Sequence, residues 1–155
     1  YDEMRKKVDV AYEASGNVAA ACSKADIIIT ATSAREAVIQ SEWVKPGTHL
    51  SCMGADMPVK QEIDEKLVAR ASLFADDIEQ VTRVGECKIA WRKHLIEKSD
   101  ITEIGQVISG IHPGRTSEKE ITLFDSTGIA IQDLITAKAV IDIAGKKGLG
   151  EEIIL

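Results

Sequence analysis

The stretch ADIIITAT, residues 25–32, carries the strongest indication of the fold. It is a continuous run of apolar and β-branched residues, which is typical of a parallel strand buried on both faces. An alanine-rich stretch at 18–24 precedes it and favours a helix, with Asn17 as its N-cap. A helix that leads directly into such a strand predicts one unit of a parallel α/β sheet.

The same alternation of strands and helices continues along the chain. The predicted strands are 8–14, 25–32, 48–54, 72–77 and 121–127; the predicted helices are the end of one at 2–7, then 18–24, 62–71, 78–97 with a break at Gly85, 103–110 and about 129–144. This order predicts an α/β fold with a doubly wound parallel sheet. No internal repeat or linker divides the chain.

Composition and charge exclude several classes of protein. The chain has 155 residues, 45% of them hydrophobic, and a net charge of -6 without a block of like charge, so we expect no nucleic-acid partner. No apolar run is long enough to span a membrane, and no membrane partner is expected. The three cysteines are odd in number and form no C-x-x-C pattern, which predicts reduced thiols in a cytoplasmic protein. No ligand spacing for a metal ion is present.

Candidate site residues follow three of the predicted strands. Ligands of open parallel sheets lie outside the carboxyl ends of the strands, and there the sequence places small, hydroxyl and acidic side chains. The three segments are 30–33, 54–56 and 125–128. They are therefore expected to border one binding site.

Each candidate has a functional and a purely structural interpretation. Asp56 lies between Gly54, which allows a ligand to approach the backbone, and Pro58; it is either a proton-transfer group with Lys60 nearby or a turn aspartate. Ser126 and Thr127 either cap the long helix or donate hydrogen bonds to a ligand. Thr30 and Thr32 are either ligand contacts or ordinary β-branched strand residues.

Several segments, in the same order along the chain, resemble the ornithine cyclodeaminase and mu-crystallin family. They are ADIIITATSAREAVI, WVKPGTHLSCMGADMPVKQEID, ADDIEQ with GE after it, and HPGRTSEKEITLFDSTGIAIQD with the helix that follows, together about residues 8–148. The resemblance implies that residues 1–128 are a partial NAD(P)-binding domain of Rossmann type. By the same resemblance, this part is expected to lack the first βαβ unit of that domain and the N-terminal substrate domain. Residues 129–155 are expected to be a helix and tail that return towards the substrate and dimerisation domain.

The resemblance also implies roles for individual residues. Asp56 falls on the catalytic proton donor and acceptor of the family's G-D-x-P-G-K motif. The implied cofactor contacts are Thr30, Thr32, Ser51, Met53, Lys60 and Ser126, and Thr127 falls on a position close to the substrate. The cofactor is expected to be NAD or NADP.

By resemblance, the full-length protein is expected to be an NAD(P)-dependent oxidoreductase or deaminase that acts on an L-amino acid or its cyclic imine. The alternatives are a catalytically inactive, crystallin-like binding protein and an inert fragment of the enzyme. Met57 and Val59 depart from the residues frequent in ornithine enzymes, and DSTGIAIQD is closer to the alanine dehydrogenase and imine reductase branches. The expected partners are a small-molecule substrate and, at full length, a second copy in a homodimer.

Overall fold

The computed structural model describes residue 3, residues 6–151 and residue 153. Residues 2, 4 and 5 of the predicted helix end at 2–7 lie outside the described residues. The strands are β1 (Ile27–Thr30), β2 (His49–Cys52), β3 (Ser72–Ala75), β4 (Ile101–Glu103) and β5 (Thr122–Asp125). The α-helices are α1 (Val18–Lys24), α2 (Glu65–Arg70), α3 (Ile78–Val81), α4 (Cys87–Arg92), α5 (Ile104–Ile108) and α6 (Ala130–Lys147). Short 3-10 helices lie at Ser41–Trp43 and Lys98–Asp100.

The five strands form one parallel sheet in the order β1-β2-β5-β3-β4. Neighbouring strands are in register, so that one row of side chains crosses the whole sheet: Ile28, Leu50, Leu123, Leu73 and Ile101. The predicted α/β class with a parallel sheet is confirmed. Because the strands run in one direction, the segments that follow them meet at one edge.

One face of the sheet packs against helices to form the core. The row through Leu50 and Leu123 contacts Leu67 and Val68 of α2 and Ala90 of α4. All five of these side chains are fully buried. Burial of this continuous apolar layer is the main source of stability that the described residues provide.

The opposite face is open at the β1 end. Ile27 and Ile29 are 65% and 70% exposed, because β1 is an edge strand and no described helix covers this face beside it. Towards β3 the same face is covered, and Phe74 is buried against the edge of the His112 ring. The prediction that residues 25–32 are buried on both faces is therefore wrong for β1, which is buried on one.

Two further predictions of secondary structure were wrong. Residues 8–14 form no strand, and their side chains are exposed apart from that of Tyr12. Strand β4 was not predicted, because its three residues lead directly into α5 and leave no alternating pattern to read. The break expected at Gly85 is confirmed, since α3 ends at Val81 and α4 begins at Cys87.

Helix α6 is not covered by the other described residues. None of its residues is buried, and its apolar side chains are exposed: Ile131, Leu134, Ile135, Val140, Ile141 and Ile143. The helix ends at Gly148, whose φ of 62° is the left-handed conformation that glycine adopts readily. No described helix is both long and apolar enough to cross a membrane. All three cysteines are free and buried.

Candidate functional site

The candidate site is the edge of the sheet at which the strands end. Thr30, Cys52, Asp125 and Ala75 form the last row across β1, β2, β5 and β3. The three segments predicted to border the site therefore begin side by side. This edge is where ligands of open parallel sheets bind.

Asp56 and Lys60 form an ion pair in the loop after β2. Lys60 Nζ donates to Asp56 Oδ1 at 2.6 Å, and the Asp56 side chain remains 50% exposed while that of Lys60 is 17% exposed. The hydrogen bond from Lys60, reinforced by its charge, holds the pKa of Asp56 below the ordinary value. At neutral pH Asp56 is therefore an ionised, accessible carboxylate that can accept a proton.

A buried lysine holds the loop near Lys60. Lys88 Nζ donates to the carbonyl oxygens of Lys60 and Gly85, the latter at 3.2 Å. Burial lowers the pKa of Lys88, while the negative charges of Glu86 and Asp125 act in the opposite direction. The carbonyl of Lys60 is thus hydrogen-bonded to Lys88, which belongs to α4. This bond fixes the backbone from which the Lys60 side chain extends to Asp56.

Glu62 is a site residue that the sequence did not reveal. It is fully buried, and its carboxylate accepts hydrogen bonds from Thr32 N–H at 2.5 Å and Gly54 N–H at 3.0 Å. A Cβ atom on Gly54 would lie 2.5 Å from this carboxylate. The expectation that Gly54 leaves space for a ligand is therefore corrected, because Glu62 occupies that space.

Two more carboxylates near the site are fully buried, those of Glu86 and Asp125. Glu86 accepts from the N–H groups of Glu62 at 2.8 Å and Ile63 at 2.9 Å, and burial raises its pKa to about 7. Asp125 accepts from Cys87 N–H at 2.9 Å, and burial raises its pKa to about 6. Both groups satisfy backbone donors that the loops would otherwise leave unpaired.

Asp76 organises the segment after β5. Its Oδ2 atom accepts from the Ser126 hydroxyl at 3.0 Å, Thr127 N–H at 3.0 Å and Gly128 N–H at 2.9 Å. The neighbouring Asp77 caps α3 by accepting from Gln80 N–H at 2.7 Å. The hydroxyl of Ser126 and the N–H of Thr127 thus both have a partner within the protein. The Thr127 hydroxyl donates to Gln80, and Thr127 is more exposed than Ser126.

The remaining predicted site residues divide into buried and accessible ones. Thr30 is buried, and its carbonyl accepts from Met53 N–H at 2.8 Å. The Thr32 hydroxyl accepts from Ala34 N–H at 3.1 Å. Met53 is largely exposed and Ser51 partly so. A ligand can therefore reach Thr32, Ser51, Met53 and the Asp56–Lys60 pair.

An apolar cavity lies away from this edge. Its volume is about 260 Å³, and Phe74, Phe124 and His49 are among its lining residues on the open face of the sheet. It includes none of the predicted site residues. Among the described residues, no three His, Cys, Asp or Glu side chains are grouped to hold a metal ion.

The comparisons with known proteins identify the family. The sequence pattern of the Ornithine cyclodeaminase/mu-crystallin family matches residues 2–148. The chain belongs to this family. The resemblance seen in the sequence is confirmed, and the loop with Asp56 and Lys60 lies within the matched region.

Family members of known structure share the fold. An alanine dehydrogenase of Archaeoglobus fulgidus is 42% identical over 94% of this chain and 45% of its own length. An archaeal alanine dehydrogenase dimer with bound NAD superposes with a TM-score of 0.83 at 42% identity, over 90% of this chain and 44% of that one. Delta(1)-pyrroline-2-carboxylate reductase of Thermococcus litoralis, in complex with NADH and L-proline, superposes with a TM-score of 0.92 at 33% identity, over 98% of this chain and 48% of that one. This chain thus spans less than half the length of these relatives.

Proposed function

We propose that this chain contributes the catalytic edge of an NAD(P)-dependent oxidoreductase that interconverts an L-amino acid and its imine. The observation that carries the proposal is the accessible Asp56–Lys60 pair at the carboxyl edge of the sheet. Membership of the family supports it, as do relatives that are named dehydrogenases and reductases. The dehydrogenase or reductase outcome is favoured over the cyclodeaminase outcome, since relatives that are 42% and 41% identical to this chain are named alanine dehydrogenase and iminosuccinate reductase.

The accessible groups at the edge fit a nicotinamide cofactor. Met53 and Ile29 present apolar surface next to the end of β2, which suits a planar ring, and Lys60 presents a cation beside it. Thr30 and Ser126 are buried. We therefore propose that they contact the cofactor through backbone atoms, or that they act by fixing loops whose other residues contact it. Thr32, Ser51, Met53 and Lys60 are the residues that would hold the cofactor through their side chains.

In this proposal, Asp56 is the residue that accepts and returns the proton of the reaction. Thr32, Ser51, Met53 and Lys60 would hold a nicotinamide cofactor, which would supply the acceptor for the hydride on the α-carbon of the amino acid. The substrate nitrogen gives up a proton as the carbon–nitrogen double bond forms, and Asp56 accepts that proton because Lys60 keeps it ionised. In the dehydrogenase outcome, Asp56 first returns this proton to the imine nitrogen. The regenerated carboxylate then takes a proton from the water that attacks the carbon and passes it to the departing nitrogen, so that a 2-oxo acid and ammonium result.

We further propose that residues 1–128 form part of the NAD(P)-binding domain and that 129–155 return to the substrate and dimerisation domain. The exposure of every large apolar side chain of α6 supports this, because a helix that is apolar on most sides is expected to be buried in the full-length protein. Leu134→Asp is expected to lower the melting temperature and the dimer fraction of the full-length protein. Gln132→Asp, on the same helix, is the control and is expected to change both far less. Equal effects of the two substitutions would contradict this arrangement.

A steady-state assay of the full-length protein tests the proposed reaction. L-alanine, L-proline and L-ornithine are each offered with NAD and NADP, and Δ1-pyrroline-2-carboxylate with the reduced cofactors. We expect turnover, seen as a change in reduced nicotinamide, with at least one of these substrates. Conversion of ornithine to proline with release of ammonia and no net change in cofactor would establish the cyclodeaminase outcome instead. Nucleotide binding without any turnover would favour the crystallin-like binding protein.

A further inference from the structure

Glu62 closes the loop that carries Asp56 and Lys60. The loop starts at Gly54, and the bond from Gly54 N–H to Glu62 Oε2, 3.0 Å long, joins its two ends. The other carboxylate oxygen accepts from Thr32 N–H in the loop after β1. We propose that Glu62 is a positioning residue that holds Asp56 against the neighbouring loop, an inference that rests on the proposed function of Asp56.

Hydrogen bonds hold the backbone of Glu62 as well. Its own N–H donates to Glu86 Oε1 at 2.8 Å, and its carbonyl accepts from Val38 N–H at 2.8 Å and Ile39 N–H at 3.0 Å. The residue is fully buried, so that its carboxylate has no alternative in water. A carboxylate fixed at its backbone and bonded through both oxygens cannot move without displacing the two loops.

The path from Glu62 to Asp56 is short. The Glu62 carboxylate lies directly against Gly54, where a Cβ atom would collide with it. The carbonyl of Gly54 in turn accepts from Asp56 N–H at 3.1 Å. A shift of the Gly54 peptide therefore moves Asp56, and a displacement of about 1 Å in a catalytic group is enough to reduce turnover strongly.

A double-mutant cycle in the full-length protein tests the proposal. Glu62→Gln keeps the length of the side chain but turns an amide NH₂ towards one of the backbone donors. We expect it to lower kcat at least about 10-fold in the wild-type background and less than about two-fold in the Asp56→Asn background. Equal losses in the two backgrounds, or an unchanged kcat in the wild type, would overturn the proposal, since Glu62 would then not act through Asp56.

The control is Asp64→Asn, which removes a carboxylate two residues away. Asp64 caps α2 by accepting from Lys66 N–H at 2.9 Å, and its carboxylate also accepts from Ser41 N–H at 3.3 Å, but it has no hydrogen bond to Thr32, Gly54 or Asp56. This variant is expected to keep the wild-type kcat. If Glu62→Gln does not fold, Glu86→Gln replaces it in the cycle, because this substitution weakens the hydrogen bond from Glu62 N–H to residue 86. Glu86→Gln is then expected to lower kcat in the wild-type background and to have almost no effect in the Asp56→Asn background.

A second measurement does not depend on turnover. The pKa of Asp56, followed by NMR of its carboxyl carbon, is expected to rise in Glu62→Gln as the loop loosens and Asp56 separates from Lys60. Asp64→Asn should leave it in place. If the wild-type protein turns over none of the substrates, the proposed function has failed, and this pKa decides the positioning role: an unchanged value in Glu62→Gln contradicts it.

Discussion

Replacement of Asp56 by asparagine is expected to lower kcat of the full-length protein at least about 100-fold, the usual contribution of a positioned proton-transfer group. Asparagine keeps the size of the side chain and can still face Lys60, but it cannot accept a proton from the substrate nitrogen or from water. The affinity for the nucleotide is expected to stay close to that of the wild type. Steady-state kinetics and equilibrium nucleotide binding measure the two quantities separately.

The chain offers a matched control for this substitution. Asp26 also pairs with a lysine, Lys45, at 2.8 Å, but it precedes β1 and so lies at the opposite edge of the sheet. Asp26→Asn is therefore expected to leave kcat unchanged. Near-normal turnover in Asp56→Asn would remove Asp56 from the mechanism.

The pH profile of the same reaction reports the role of Lys60. Because Lys60 lowers the pKa of Asp56, Lys60→Met should raise that pKa towards its ordinary value. A raised pKa keeps the carboxyl protonated, and thus inactive as a base, up to a higher pH. The acidic limb of kcat/KM against pH is therefore expected to move to higher pH, whereas Lys45→Met should leave it in place.

Substitution of Gly54 by alanine is expected to lower the free energy of unfolding by about 3 kcal/mol, at the upper end of what overpacking of a buried site costs. The new Cβ atom would lie 2.5 Å from the carboxylate of Glu62, which is fully buried and has no free space to enter. Relief of the collision requires the carboxylate to leave the N–H groups of Thr32 and Gly54. The penalty therefore combines steric overlap with two buried donors left unpaired.

Denaturation midpoints in urea measure this effect, with Gly105→Ala as the control. A Cβ atom on Gly105 meets nothing within 4 Å, and Gly105 lies inside α5. Alanine favours a helix over glycine, so the control is expected to be neutral or slightly stabilising. If both variants have the wild-type midpoint, the Glu62 carboxylate does not occupy the place described for it.

The sequence predicted the part of the site that follows local patterns. The apolar run that ends in β2, with Gly54 and Pro58 after it, located Asp56 at the carboxyl edge because that inference needs only neighbouring residues. The alternation of strands and helices was likewise sufficient for the α/β class. The role of every site residue stays a prediction: Asp56 in catalysis, Thr127 at the substrate, and Thr30, Thr32, Ser51, Met53, Lys60 and Ser126 at the cofactor.

Glu62 was not predictable in the same way. Its acceptor role depends on Thr32, thirty residues earlier in the chain, and the sequence around it is typical of the first turn of a helix. The structure instead begins α2 at Glu65, with Asp64 as the N-cap, and leaves Glu62 in an extended segment. The exposure of Ile27 and Ile29 escaped prediction for a related reason, since a sequence pattern indicates an apolar strand but not which of its faces is covered.

The strand order has a consequence for how the molecule is made. β5 is the last of the five described strands in chain order, yet it lies between β2 and β3 at the centre of the sheet. Until residues 122–125 have left the ribosome, the other four described strands can pair with one another in this order as β1 with β2 and β3 with β4, each pair with an unpaired inner edge. Parallel pairing over such long separations is slow, and unpaired edges recruit other strands. Completion of this sheet is therefore a late step of synthesis, at which the nascent chain depends most on protection from aggregation.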